Sequence, residues 1–138
     1  MAQTVVDGVV EDMNMSIWSE ICTTDPDHTK KVKFGSREFT AVDSQWQVRE
    51  MTKLFGPIGK GWGYEAEIDT MQDSGGDWVM LCSLVLWWKD EETHRGGPIV
   101  TFAPFISGGR VDKDAGKKAI TDALTKAMSH LGMSADVF

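Results

Sequence analysis

The 138-residue sequence lacks any long apolar run. Its longest, Val79 to Trp88, is interrupted by Ser83 and falls far short of the ~20 residues needed to span a bilayer. No positively charged opening segment leads into an apolar stretch, so no signal peptide is expected. Cysteine is scarce too. Cys22 and Cys82 have no CxxC spacing, and both lie in apolar segments, where a reduced, buried thiol is the commoner state. The three histidines, His28, His94 and His130, share no metal-ligand spacing with one another or with the cysteines. There is no nucleophile elbow, P-loop or dinucleotide fingerprint. These absences favour a soluble cytoplasmic protein that is not an enzyme and needs no metal or cofactor. The acids of residues 65–77 could serve a small hydrolase, but no paired base or metal site accompanies them.

Cations are outnumbered: 14 Lys and Arg stand against 21 Asp and Glu, a net charge of −7. At first this argues against nucleic acid, whose phosphates need Lys and Arg. The distribution softens the objection. Residues 27–60 carry seven bases (Lys30, Lys31, Lys33, Arg37, Arg49, Lys53 and Lys60) against four acids. Residues 61–100 carry two bases against eight acids. A basic strip inside an acidic protein can bind a polyanion, and it can equally be an ordinary solvated surface.

Tryptophan is what the sequence has in excess: six, with a single tyrosine. Single-stranded nucleic acid is held by aromatic faces beside basic groups. Trp46 and Trp62 lie near Arg49, Lys53 and Lys60 in the sequence and make that combination. Trp18, Trp78, Trp87 and Trp88 read instead as core or interface anchors. Adjacent Trp87 and Trp88 put large rings on opposite faces of one strand, which a subunit interface would help to bury.

One domain is expected over 1–138, with residues 1–11 flexible; a chain this long buries roughly 70% of its unfolded surface. Asp12 or Asn14 can cap a short helix through Met15, Trp18, Ile21 and Cys22. Lys31 to Val42 reads as extended. Ser44 and Gln47 offer a capping box to a helix that Gly56-Pro57 stops. Gly56 to Gly63 reads as a tight helix-to-strand connection. Three strands follow: Gly61–Met71, an apolar Trp78–Trp88, and Ile99–Ile106 marked as edge or bulged by Pro98 and Pro104. Lys89 to Gly97 reads as a charged loop. The last helix, capped by Asp112 or Asp114, carries the stripe Ala119, Ile120, Ala123, Leu124, Ala127, Met128 and Leu131, with Gly132 at C′. The expected class is α+β: a three-stranded antiparallel meander packed on a long C-terminal helix, with N-terminal helices.

Two runs go beyond composition: FTAVDSQWQVREMTKLFGPIGKGWGYE and GGRVDKDAGKKAITDALTKAMSHLGMSADVF. They resemble the Sak-type phage single-strand annealing proteins, of the superfamily that includes the eukaryotic Rad-type annealing mediator. Thr121-Asp122-Ala123, Ala127 and Leu131-Gly132 carry most of the likeness, with Phe55-Gly56 and Gly61-Trp62 behind them. The resemblance implies a β-β-β-α core whose copies join through sheet edges into rings or helical filaments. It implies ATP-independent annealing of single-stranded DNA in phage-type recombination, with a phage exonuclease and a single-strand-binding protein as partners. By position it places Lys126 at a basic DNA contact, and Arg110, Lys117 and Lys118 at or near further ones. Thr125 and Ser129 stand where relatives often have Lys or Arg, which shifts weight to Arg49, Lys53 and Lys60. The alternatives are a single-strand-binding protector without annealing activity and an oligomeric scaffold with no nucleic-acid role.

Overall fold

The computed structural model describes residues 13–138; the expected flexible segment 1–11 and the cap at Asp12 lie outside the described residues. The chain divides into two compact units, one of residues 51–128 and one of residues 13–50 with 129–138.

The expected fold class is corrected. Strands take 40% of the chain and helices 30%, so the protein is mostly β, with two sheets rather than one meander on a long helix. Assembly into rings or helices is not shown by this single chain. The difference arises in segments whose polarity hides their pairing. The extended run expected over Lys31–Val42 is a hairpin, β1 (Thr29–Phe34) and β2 (Arg37–Val42), a sheet of its own. Gly35 turns the chain with φ +65° between the paired Phe34 and Arg37, the positive φ that two-residue hairpin loops demand. Inside the expected charged loop, β5 (Thr93–Arg95) pairs with the end of β4 (Trp78–Lys89), and Gly108-Gly109 turns the chain back into β7 (Arg110–Val111).

The larger sheet lies within residues 51–128. Its order is β3 (Trp62–Gln72), β4 (Trp78–Lys89), β6 (Ile99–Ser107), β7, with β5 also on β4. All pairings are antiparallel. Side chains alternate between faces, and the two faces of β4 have different fates. Cys82, Leu84 and Leu86 are buried with Trp62, Thr101 and Ala103. The last helix covers this face, and the buried Thr101 hydroxyl donates to the Ala119 carbonyl at 2.8 Å. Burial raises the Cys82 thiol above its ordinary pKa, against the opposing hydrogen bond with Thr101. The expectation of an edge or bulged third strand is met at Pro104, which sits opposite Val79 where the β4–β6 register shifts.

Helix α2 (Ser44–Phe55) ends at the expected Gly56, φ +107°. Its start differs. Asp43 accepts from the Gln45 N–H at 3.0 Å, and Gln47 is buried, its amide donating to Ser134 Oγ at 3.2 Å, so no Ser44–Gln47 capping box forms. The tight connection after α2 is real: a side chain at Gly61 would collide with the Phe55 carbonyl. Helix α1 (Ser16–Ile21) begins after Met15 with no side-chain cap.

Residues 129–138 close on the start of their unit. Ser134 N donates to Ile21 O at 2.9 Å, and the Asp136 carboxylate accepts from Thr24 Oγ1 at 2.6 Å and Thr24 N at 3.0 Å. Gly132 has φ +108°, and a Cβ there would come 2.6 Å from Trp18 Cδ2. The final helix, α3, covers Ala115–Ser129 and buries Ala115, Ala119, Ala123, Leu124, Ala127 and Met128. Asp112 makes its lead-in turn, accepting from the Asp114 N–H at 2.9 Å.

Candidate nucleic-acid interface

The expected aromatic contacts are not on the surface. Trp62 is fully buried at the start of β3, and its indole Nε1 has no hydrogen-bond partner among the described residues. Trp46 is 7% exposed and stacks on His28, ring centroids 5.7 Å apart. Neither offers a free face to a base. Size explains this: a Trp near a helix or strand start is the largest apolar surface available to bury.

The expected basic positions of β7 and α3 are exposed, and two of the four are paired with acids. Lys118 Nζ is 2.7 Å from Asp112 Oδ2 and Lys126 Nζ is 3.2 Å from Asp122 Oδ2. The hydrogen bond from Lys118 holds the Asp112 carboxyl below its ordinary pKa and raises that of the lysine in return. Lys117 lines a shallow groove along the helix with Asp114, Thr121 and Asp122. Arg110 lines another with Phe105, Val111 and Asp112. Residues 110–126 carry five bases against three acids, so the pairing leaves only a modest positive field for a phosphate chain. Of the α2 and connection residues, Arg49, Lys53 and Lys60 are all exposed. Lys53 has an interaction partner. Lys60 sits at the tip of the turn that Pro57 O closes by accepting from Lys60 N at 3.0 Å.

The structure instead concentrates cations and free rings on the hairpin. From the register, Lys30, Val32 and Phe34 share one face with Arg37, Phe39 and Ala41. Phe34 is 79% exposed and Phe39 44%. The Arg37 guanidinium lies over the Phe39 ring, 5.8 Å from its centroid, within cation–π range. Lys30 and Arg37 make no ion pair among the described residues; the paired residues of this face include no acid, and at its base Lys30 and Ala41 line one groove with Asp27 and Asp43. The opposite face is less free: Lys31 Nζ donates to Thr40 Oγ1 at 2.8 Å, and Lys33 stands opposite Glu38. At the hairpin base, Asp27 and Asp43 line a groove with His28, whose Nδ1 is 3.6 Å from Asp43 Oδ2. In the sequence these cations belong to the basic strip and Phe34 and Phe39 are apolar side chains of the extended run, with no sign that they share a face. The available signal was Gly35: once it is read as a turn, period-two alternation puts both rings beside Lys30 and Arg37.

Among the described residues no group of three or more His, Cys, Asp or Glu is placed to hold a metal ion, and no helix is long and apolar enough to cross a membrane. No protein-family model matches the chain, and no curated protein matches its sequence.

Proposed function

We propose that the protein binds single-stranded DNA on the aromatic face of the β1–β2 hairpin and helps complementary strands pair without ATP. One observation carries this reading: Phe34 and Phe39 are exposed on the strand face that also holds Lys30 and Arg37, and the paired residues of that face include no acid. Stacked bases contribute ~1–3 kcal/mol each, and cations beside them neutralise the phosphates. Stacking engages the face of a base and leaves its pairing edge open, so a strand held this way stays available to its complement. The resemblance to the Sak-type annealing proteins supports the annealing step.

The test is binding of a labelled oligonucleotide at low salt, followed by mixing of complementary strands. Phe34→Ala is expected to weaken binding roughly thirtyfold, the middle of the stacking range. The parent protein is expected to speed duplex formation. Absence of binding by the parent overturns the proposal. Binding with slowed pairing replaces annealing by strand protection.

A further inference from the structure

The groove at the foot of the hairpin encloses about 360 Å³, and its lining includes Asp27, His28, Lys30, Ala41 and Asp43. That is the small end of ligand sites, about 300–1,000 Å³, and suits a single nucleotide. The β1–β2 ladder runs one step past its last strand pair, Thr29 with Val42, because the Asp43 N–H donates to the His28 carbonyl at 2.8 Å. The alternation that puts Lys30 and Ala41 on the aromatic face therefore brings His28 and Asp43 to the foot of that face.

The polar groups of the groove are not equivalent. His28 is held in place: its ring stacks on Trp46, with Asp43 Oδ2 3.6 Å from Nδ1 and Asp25 Oδ2 4.0 Å from Nε2. Trp46 covers one face of the imidazole and carboxylates flank its edge, so the other face is left as a flat wall. Asp43 is engaged too, since its Oδ1 accepts from the Gln45 N–H at 3.0 Å. Asp27 and Lys30 are both exposed, and neither side chain makes an ion pair or hydrogen bond among the described residues. A carboxylate only accepts, so it admits the N–H groups on the edge of a base and turns carbonyls away. Thymine shows one N–H between two carbonyls. Adenine and cytosine each show one amino group beside a ring-nitrogen acceptor. Guanine shows two adjacent donors, N1–H and the 2-amino group, which match both oxygens of one carboxylate as an arginine fork does. Phosphate is repelled by Asp27 and Asp43 and drawn to Lys30.

We infer that this groove is a guanine-reading subsite, in which Asp27 accepts from N1–H and the 2-amino group, His28 stacks on the base and Lys30 holds the adjoining phosphate. The inference rests on the reading of the hairpin as the DNA site. Phe39, opposite Val32, and Phe34 lie two and four residues beyond Lys30, about 7 and 13 Å of strand, so neighbouring bases of the same DNA strand reach the rings. The guanine has its pairing edge engaged and its neighbours do not. It therefore anchors the strand and sets where the bases open to a complement begin.

The experiment measures binding of the full chain to short labelled thymine oligonucleotides that carry one central guanine, hypoxanthine, cytosine or adenine. The guanine strand is expected to bind roughly thirtyfold more tightly than the all-thymine strand, the middle of the range for a bidentate base contact. Hypoxanthine keeps N1–H but lacks the 2-amino group, and is expected to lose most of that gain. Asp27→Asn is expected to bring the guanine and thymine strands to within about threefold of each other, the worth of one remaining neutral hydrogen bond. Equal binding of all strands by the parent overturns the inference, as does a guanine preference that hypoxanthine shares in full or that Asp27→Asn retains. Guanosine monophosphate, titrated alone, separates the groove from the DNA reading. If the parent binds this nucleotide through Asp27 and binds no oligonucleotide, the groove stands and the DNA site is removed. If it binds thymine strands with no preference for guanine, the DNA site stands and the groove is removed. Binding of neither overturns both.

Discussion

In the two-stranded sheet, phenylalanines stand in solvent beside cations; in the five-stranded sheet, Trp62 is sealed in the core, Trp78 and Phe102 stay exposed, and acids line the open face. Both sheets are antiparallel and both alternate side chains strictly, so the contrast comes from what covers them. The large sheet has α3 on one face, and the apolar residues it needs for that contact are Leu84, Leu86, Cys82 and Trp62. The hairpin has only two strands, which bury little by themselves. Its Phe34 adds almost nothing to the core and remains available for an external partner. Exposure rather than number therefore decides which rings are open to an external partner.

The comparison breaks most visibly at β4. Leu84→Asp puts an unpaired carboxylate on the covered face and is expected to unfold the unit, since such burial costs several kcal/mol. Leu81→Asp, on the open face of the same strand, should cost far less. Circular dichroism melts distinguish the pair, and equal losses would mean that both faces are covered. Gly132→Ala comes next. Its φ and the Trp18 ring both oppose a side chain, and a loss of about 1–3 kcal/mol is expected by denaturant titration.

The same unit should weaken in acid. Hydrogen bonds from the Thr24 hydroxyl and then its backbone N–H hold the Asp136 carboxyl below its ordinary pKa. A group depressed on folding stabilises the fold above its unfolded pKa of about 4, and this contribution fades as pH falls through the lowered value. Asp136→Asn should remove that acid dependence while the parent keeps it. The smallest effect is expected for Trp62→Phe. It removes a buried donor without a partner, which offsets part of the lost packing, so stability should change by no more than ~1–2 kcal/mol.

Much of the scaffold was legible in the residues. The stop at Gly56-Pro57, the central apolar strand and the alanine stripe of the last helix follow from backbone chemistry and helical spacing. The hairpin was harder to see as a separate sheet, because Lys30, Lys31, Lys33 and Glu38 look like solvated surface whether paired or not. β5 was hidden for the same reason inside Lys89–Gly97. The site was misread at its aromatic half. Trp46 and Trp62 were chosen because they lie near bases in the sequence, whereas folding buries both and leaves Phe34 and Phe39 outside. Local cation density was visible; which rings share a face with it depended on the Gly35 turn.

The hairpin, rather than the partly paired face of α3, is proposed to meet the phosphates. Salt dependence of oligonucleotide binding tests it most directly. Each phosphate contact on single strands contributes about −0.7 to the slope of log K against log salt. Lys30→Ala/Arg37→Ala should therefore flatten the slope by about 1.4, while Lys117→Ala/Lys126→Ala leaves it nearly unchanged. A slope that flattens for the helix variant and holds for the hairpin variant would contradict the account.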